Sequence, residues 1–249
     1  MLVLALSMVS CVKQIPVAEQ ASDVVVVNAF IETGRTADDI FLSSLDSGQG
    51  MSGISDARVT LRSEGAFISL DEDPARPGHY RDLEGIFLKP NTSYDLEILL
   101  DGERFTSQTI TPPSLLELNV SKQYLEVEQD NDLVFLEWEG LNSGSFNEFF
   151  YLVTMRPLAL LSELEEIQRS PQENELMVIN VTYNPELVLS TDFFRYYGNH
   201  LIEIKAIRLE HEELFRAQMD VSGNGASNIE GAVGFFVGTS TLATVIEVR

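Results

Sequence analysis

The chain of 249 residues carries 39 acidic against 16 basic side chains, a formal net charge of −23. Without clustered Lys and Arg it is not built to neutralise phosphates, which excludes nucleic acid as a partner and argues against electrostatic adsorption to anionic headgroups. Hydrophobic residues make up 44%, enough for a packed core, and one cysteine leaves no internal disulfide, so packing must supply the stability.

The first ten residues, Met1 to Ser10, are apolar and end in the small pair Val9-Ser10 before Cys11, the only cysteine. This reads as a lipoprotein leader (1–10) whose removal leaves Cys11 first, with its thiol and amine acylated. No Lys or Arg precedes the apolar core, as a secretory leader would require, which fits a truncated start. Ten residues are far short of the roughly 20 needed to span a bilayer. Residues 11–22 mix Lys, Gln, Pro, Glu and Ser without periodicity and read as a tether. Each acyl methylene adds about 0.8 kcal/mol of membrane affinity, so two or three chains hold a protein firmly.

From Val24 the chain is rich in β patterns. Val24 to Val27 begins a buried strand, and Phe41-Leu42-Ser43 is placed to pair with it. Ala57, Val59 and Leu61 alternate with Arg58, Thr60 and Arg62, as a half-buried strand requires. Phe67 to Leu70 follows after Glu64-Gly65. Tyr94, Leu96, Ile98 and Leu100 alternate in turn, with Asp101-Gly102 as a turn before Phe105 to Ile110. Pro112-Pro113 stops the run, since Pro cannot donate to a ladder. Many short strands in one stretch predict a β-sandwich over 23–113.

A second unit is expected over 114–249. Leu133 to Trp138 and Glu148 to Met155 read as apolar strands. Pro157 to Gln168 carries Leu158, Leu161, Leu164 and Ile167 at helical spacing behind a proline suited to a first turn, predicting a helix near 157–168. Glu175 to Tyr183 and Ile202 to Ala206 return to strand, His211 to Met219 is expected to be a short helix, and Ala232 to Val237 and Leu242 to Val248 are expected as two closing strands.

Several segments together resemble the Bacteroidetes lipoproteins of the family called domain of unknown function 4249. They are the cysteine followed closely by Val26 to Ile31, then Ile54 to Leu61, Gly78-His79-Tyr80, Leu88 to Tyr94, Thr109 to Pro113, and above all Ser227 to Phe236. Ala29 and Ala232 stand where the family usually has glycine. The resemblance implies a mainly β fold of two sandwich domains in tandem. The first is transthyretin-like or immunoglobulin-like. The second is fibronectin type III-like, with a short helical insertion and with Trp138 in its core. It also implies a companion of TonB-dependent outer-membrane receptors. No acidic residue follows Cys11 until Glu19, which leaves the outward or periplasmic face open.

Chemistry-bearing constellations are sparse. His79, His200 and His211 are scattered and lack HExxH spacing, so no metal centre or cofactor is expected. Asp71-Glu72-Asp73 and Asp130-Asn131-Asp132 offer hard oxygens but lack the spacing of a calcium loop, and turn chemistry accounts for them as well. No GxSxG is present, and no pair of carboxylates is singled out for glycoside hydrolysis. Runs of aromatics, Phe149 to Tyr151 and Phe193 to Tyr197, cannot all face one core because strand side chains alternate. Phe194, Tyr196 and Tyr197 are therefore the candidate ligand or partner surface, against the plainer reading that they cover the helical insertion. The expected function is a non-enzymatic, lipid-anchored binding protein of the outer membrane. A fimbrial or adhesin-type subunit and a glycan hydrolase with an unrecognised acidic pair are the alternatives.

Overall fold

A computed structural model describes residues 24–46, 50–128, 132–139, 141, 148–167, 178–219 and 226–249. Cys11 and the tether lie outside the described residues, as do Asp130 and Asn131. The first unit is built from β1 (Val24–Glu32), β2 (Asp39–Asp46), β3 (Gly50–Gly53), β4 (Arg58–Ser63), β5 (Ala66–Glu72), β6 (His79–Arg81), β7 (Ser93–Leu100) and β8 (Glu103–Ile110). Then come β9 (Leu118–Val120), β10 (Tyr124–Leu125), β11 (Val134–Trp138), β12 (Phe149–Pro157), β13 (Val178–Thr182), β14 (Glu186–Leu189) and β15 (Gly198–Arg208). A single α-helix among the described residues, α1 (Glu212–Met219), precedes the long last strand β16 (Val233–Val248). The chain is mainly β and its sheets are stacked like those of a sandwich.

The alternating sequences dictate the first core. Val27, Ala29 and Ile31 of β1 and Ile40 and Leu42 of β2 face Val59 and Leu61 of β4, Ile68 and Leu70 of β5, and Tyr94, Leu96 and Ile98 of β7, all essentially excluded from water. β5 joins the two layers: its residues up to Leu70 pair with β4, while Asp71 and Glu72 pair with β6, which in turn pairs with β2. In the second unit, a three-stranded sheet β14-β11-β9 lies over β12, β15 and the far half of β16. Trp138, Tyr151, Ile204 and Ile246 form the centre of its core, the Trp138 and Tyr151 rings meeting edge-on at 5.2 Å.

The two expected closing strands are one continuous strand of 16 residues. It pairs in parallel with β1 from Val26↔Val233 to Glu32↔Thr239, then with β15 and β10 as far as Val248. The ladder therefore crosses the boundary expected between residues 113 and 114. Two glycines make the crossing feasible. Gly234 (φ +120°) runs against β1 so closely that a Cβ would sit 1.9 Å from the Val27 carbonyl oxygen. Gly238 passes beneath the connecting segment, where a Cβ would meet Ile110 O at 2.8 Å. Two residues further along the strand, the Ser240 hydroxyl accepts the Leu115 N–H at 2.8 Å.

The aromatic run Phe149 to Tyr151 behaves differently from expectation. Both faces of β12 are buried for seven residues. Tyr151 enters the second core, while Phe150 enters a third one with Leu152, Ile207, Phe235 and Val237, roofed by Leu214 and Phe215 of α1. Alternation is obeyed, but the outward face meets a helix instead of water.

The helix expected near 157–168 is not formed. Leu161–Glu163 is one 3-10 turn, and Leu164 is already extended (ψ 127°). Residues 165–167 instead take backbone partners from 195–197, with Ile167 N–H to Arg195 O at 2.8 Å and Tyr197 N–H to Glu165 O at 2.9 Å. Leu158 stays exposed while Ile167, the last of the series, enters the second core from extended backbone, so the period does not meet one groove. A helix of that length is marginal without such burial. The helix expected over 211–219 forms, and its apolar face covers the third core.

Candidate functional site

The predicted aromatic surface is largely dismantled by the fold. Phe194 is 2% exposed, packed edge-on against His200 at 4.8 Å in the second core. Tyr197 packs partly against the same core. Tyr196 is half-buried, bridges to Glu166 and lies beside the Arg195 guanidinium at 5.3 Å. The backbone of 195–197 pairs with 165–167, and Phe194 is corrected from surface to core.

The acidic triplet serves a turn. Glu72 accepts the Ser55 hydroxyl at 2.6 Å and the Gly78 N–H at 3.0 Å, and these bonds hold its pKa below the usual carboxylate range. Asp73 is lowered likewise, first by the Ala75 N–H and then by Arg76. Asp132 is lowered chiefly by Lys122 and accepts the Glu126 N–H at 2.8 Å. His79, His200 and His211 are buried apart from one another, and burial lowers the pKa of the latter two. Among the described residues no cluster of three His, Cys, Asp or Glu side chains is arranged to hold a metal ion.

Among the described residues, one groove opens on the first unit and another between β1, the loop that follows it and β15. The first, of about 560 Å³, lies on the outer face of β4, β7 and β8, where Glu97 bridges Arg62 (3.0 Å) and Arg104 (2.6 Å). Its far wall is the signature segment, with Glu230 bonded to the Thr106 hydroxyl at 3.0 Å. The other, of about 300 Å³, holds Glu32, Arg35, Asp38, Glu203 and Lys205. Burial raises the pKa of Glu32 against the opposing pull of Arg35 and Lys205.

The signature itself has a mechanical role. The Asn228 carboxamide pairs like a strand residue, donating to Phe236 O at 2.8 Å and accepting from Phe236 N–H at 2.9 Å. Ile229 is buried in the first core, and Glu230 exchanges backbone bonds with Thr106. The segment thus clasps the start of β16 onto β8.

The best-built display of apolar side chains is a loop cluster at the waist of the molecule. Gly34 N–H binds Leu88 O and Leu88 N–H binds Arg35 O, both at 2.8 Å, and Asp82 N–H binds Ala37 O at 2.9 Å. The Asp82 carboxylate accepts Glu84 N–H at 2.8 Å and Ile86 N–H at 2.6 Å, fixing the loop from within. Thr111 Oγ1 donates to Lys89 O at 2.6 Å and Thr33 Oγ1 to Pro112 O at 2.8 Å, binding the connecting segment to both loops. Leu88 then points inward, while Leu83 and Phe87 are left 62% and 70% exposed, with Leu116 exposed on the connecting segment. Ordering costs are already met in such a loop, and aromatic anchors on preorganised loops dominate protein–protein contacts. The sequence held one clue: an Asp-x-x-Gly turn whose apolar residues follow no strand or helix period.

These sheets and their shared last strand define a mainly β, sandwich-like protein. The chain matches the family described as Domain of unknown function (DUF4249) over residues 13–244, and it belongs to that family. No curated protein matches it. Among solved structures it is similar to the chicken CNTN1 FN1-FN3 domains at 14% identity, covering 92% of this chain and 66% of that one. The TM-score of 0.28 is too low to carry any argument.

Proposed function

We propose that the protein is a non-catalytic Bacteroidetes lipoprotein, held to the outer membrane through acyl chains on Cys11, that assists a TonB-dependent receptor in nutrient uptake. Its two tandem units would be immunoglobulin-like over 23–113 and fibronectin type III-like over 114–249. The observation that carries the reading is the waist loop, in which Leu83 and Phe87 stand exposed on a backbone fixed by its own hydrogen bonds. Membership of the family supports the receptor-companion role by analogy alone. Against a fimbrial subunit exchanging strands between chains stands the pairing of β1 with the chain's own β16.

The test is affinity capture from outer membranes in mild detergent with the wild type and with a Leu83→Ser/Phe87→Ser variant. Recovery of a TonB-dependent transporter by the wild type, reduced at least about tenfold in the variant, is the expected result for a hot-spot pair. Equal recovery by both chains would remove the loop from the interface. Reproducible recovery of no transporter would overturn the accessory role.

A further inference from the structure

The outward face of β1 is treated differently along its length. At its upper end Phe30 is covered by Phe215 of α1 (6.3 Å) and by Phe235 (4.8 Å). At its lower end nothing among the described residues covers it. There Val24 stands opposite Leu45 of β2, and Leu45 opposite Met51 of β3, so one cross-strand row carries three apolar side chains. Leu45 is 50% and Met51 62% exposed, and Val24 is exposed as well. The next row adds Val233 beside Val26. Directly opposed residues of a sheet share a face, so these side chains form one patch.

Two observations say what the patch meets. First, Val24 is the point at which the tether enters the fold. Val12 to Asp23 can reach at most about 40 Å from an acylated Cys11, which makes this the end of the described fold joined most directly to the anchor. Second, β16 runs from Val233 at this end to Val248 in the second unit, so the patch lies at the end away from that unit. The chain's net charge of −23 opposes anionic lipid, which leaves contact with neutral or zwitterionic phospholipid through apolar side chains alone.

We propose that the row Val24–Leu45–Met51, with Val233, is a lipid-contact surface. It seats the first unit against the membrane and presents the second unit away from it. This rests on acylation of Cys11, and the experiment separates the two.

The probe is full-length mature protein in phosphatidylethanolamine–phosphatidylcholine vesicles containing nitroxide-labelled lipid. Acylated Cys11 cannot take the label, so bimane is placed on Met51→Cys or, as the remote control, on Val188→Cys of β14. Palmitate incorporation, and its loss on Cys11→Ala, is read on the same preparation. The expected result is quenching at position 51 at least twofold stronger than at 188. An acylated protein with equal quenching at both sites overturns the seating while leaving the anchor intact, and a chain that takes up no palmitate overturns both. Shielding of position 51 that tracks concentration-dependent dimerisation in sedimentation would assign the patch to a second copy and overturn the lipid contact.

Discussion

The two sandwich units differ in how their cores are drawn from the chain. The second is assembled from one continuous stretch, residues 115–248, with Trp138 and Tyr151 at its centre and Ile246 and Val248 of β16 completing it. The first is assembled from residues 27–105 and then waits for Ile229 and Phe236, which arrive more than a hundred residues later. Both units are closed by β16, but the first takes its half of that strand from beyond the whole of the second. Damage to the clasp at residues 227–238 should therefore open the first unit selectively, and the lone tryptophan, buried in the second, reports whether it does.

The largest effect is expected from Gly234→Val. A side chain there would collide with the Val27 carbonyl, 1.9 Å from the ideal Cβ, at a φ of +120°. Loss of several kcal/mol is expected, about 4 or more, because neither the backbone nor β1 can yield cheaply. Hydrogen exchange should show the amides of β1, β2, β4 and β7 losing protection while Trp138 keeps its buried emission. Simultaneous loss of both would show that the two units unfold as one.

A smaller loss is expected from Asn228→Ala. It removes both carboxamide bonds to Phe236 and leaves that backbone without partners, at a cost of roughly 1–3 kcal/mol. Urea unfolding followed by exchange should place the loss in the first unit. Destabilisation confined to the second would break the distinction between them.

The smallest effect is a pH dependence. Burial lowers the pKa of His200, in the second core, and of His211, which bonds Thr109 at the seam at 3.0 Å. Unfolded histidine takes up protons near its ordinary value of 6.5 while the folded forms resist. Stability is therefore full above that value and is lost as the pH falls from it through the lowered folded values. Glu72, Asp73 and Asp132, held low in the fold, withdraw their contribution at more acidic pH still. His200→Gln should flatten the dependence near neutrality read by Trp138, and His211→Gln that read by exchange at the seam. Unchanged profiles would remove both histidines from the account.

Much of the strand order was legible because a half-buried strand writes its period into the sequence, as Tyr94, Leu96 and Ile98 do. The helix expected over 211–219 forms, with Leu214 and Phe215 on the third core. The false helix at 157–168 shows the limit of that signal. Leucines at helical spacing specify a helix only if a groove receives them, and here the backbone of 195–197 offered a better partner. The candidate site was misread for a related cause. Aromatics that could not all face one core were expected to reach the surface at Phe194, Tyr196 and Tyr197, whereas Phe194 lies in the second core, and the exposed Leu83 and Phe87 sat in a loop with no period at all.

By itself the sequence determined which segments extend, that no disulfide joins them, and the family to which the chain belongs. All of these are local, being properties of alternation, composition and motif. Tertiary structure decided that one strand serves both units, that Asn228 to Gly234 is a clasp, and that among the described residues the outer face of β1 is roofed at Phe30 and left exposed at Val24. Each of those depends on which distant segment arrives to cover a surface, and a surface's partner is not encoded in the period of the surface itself.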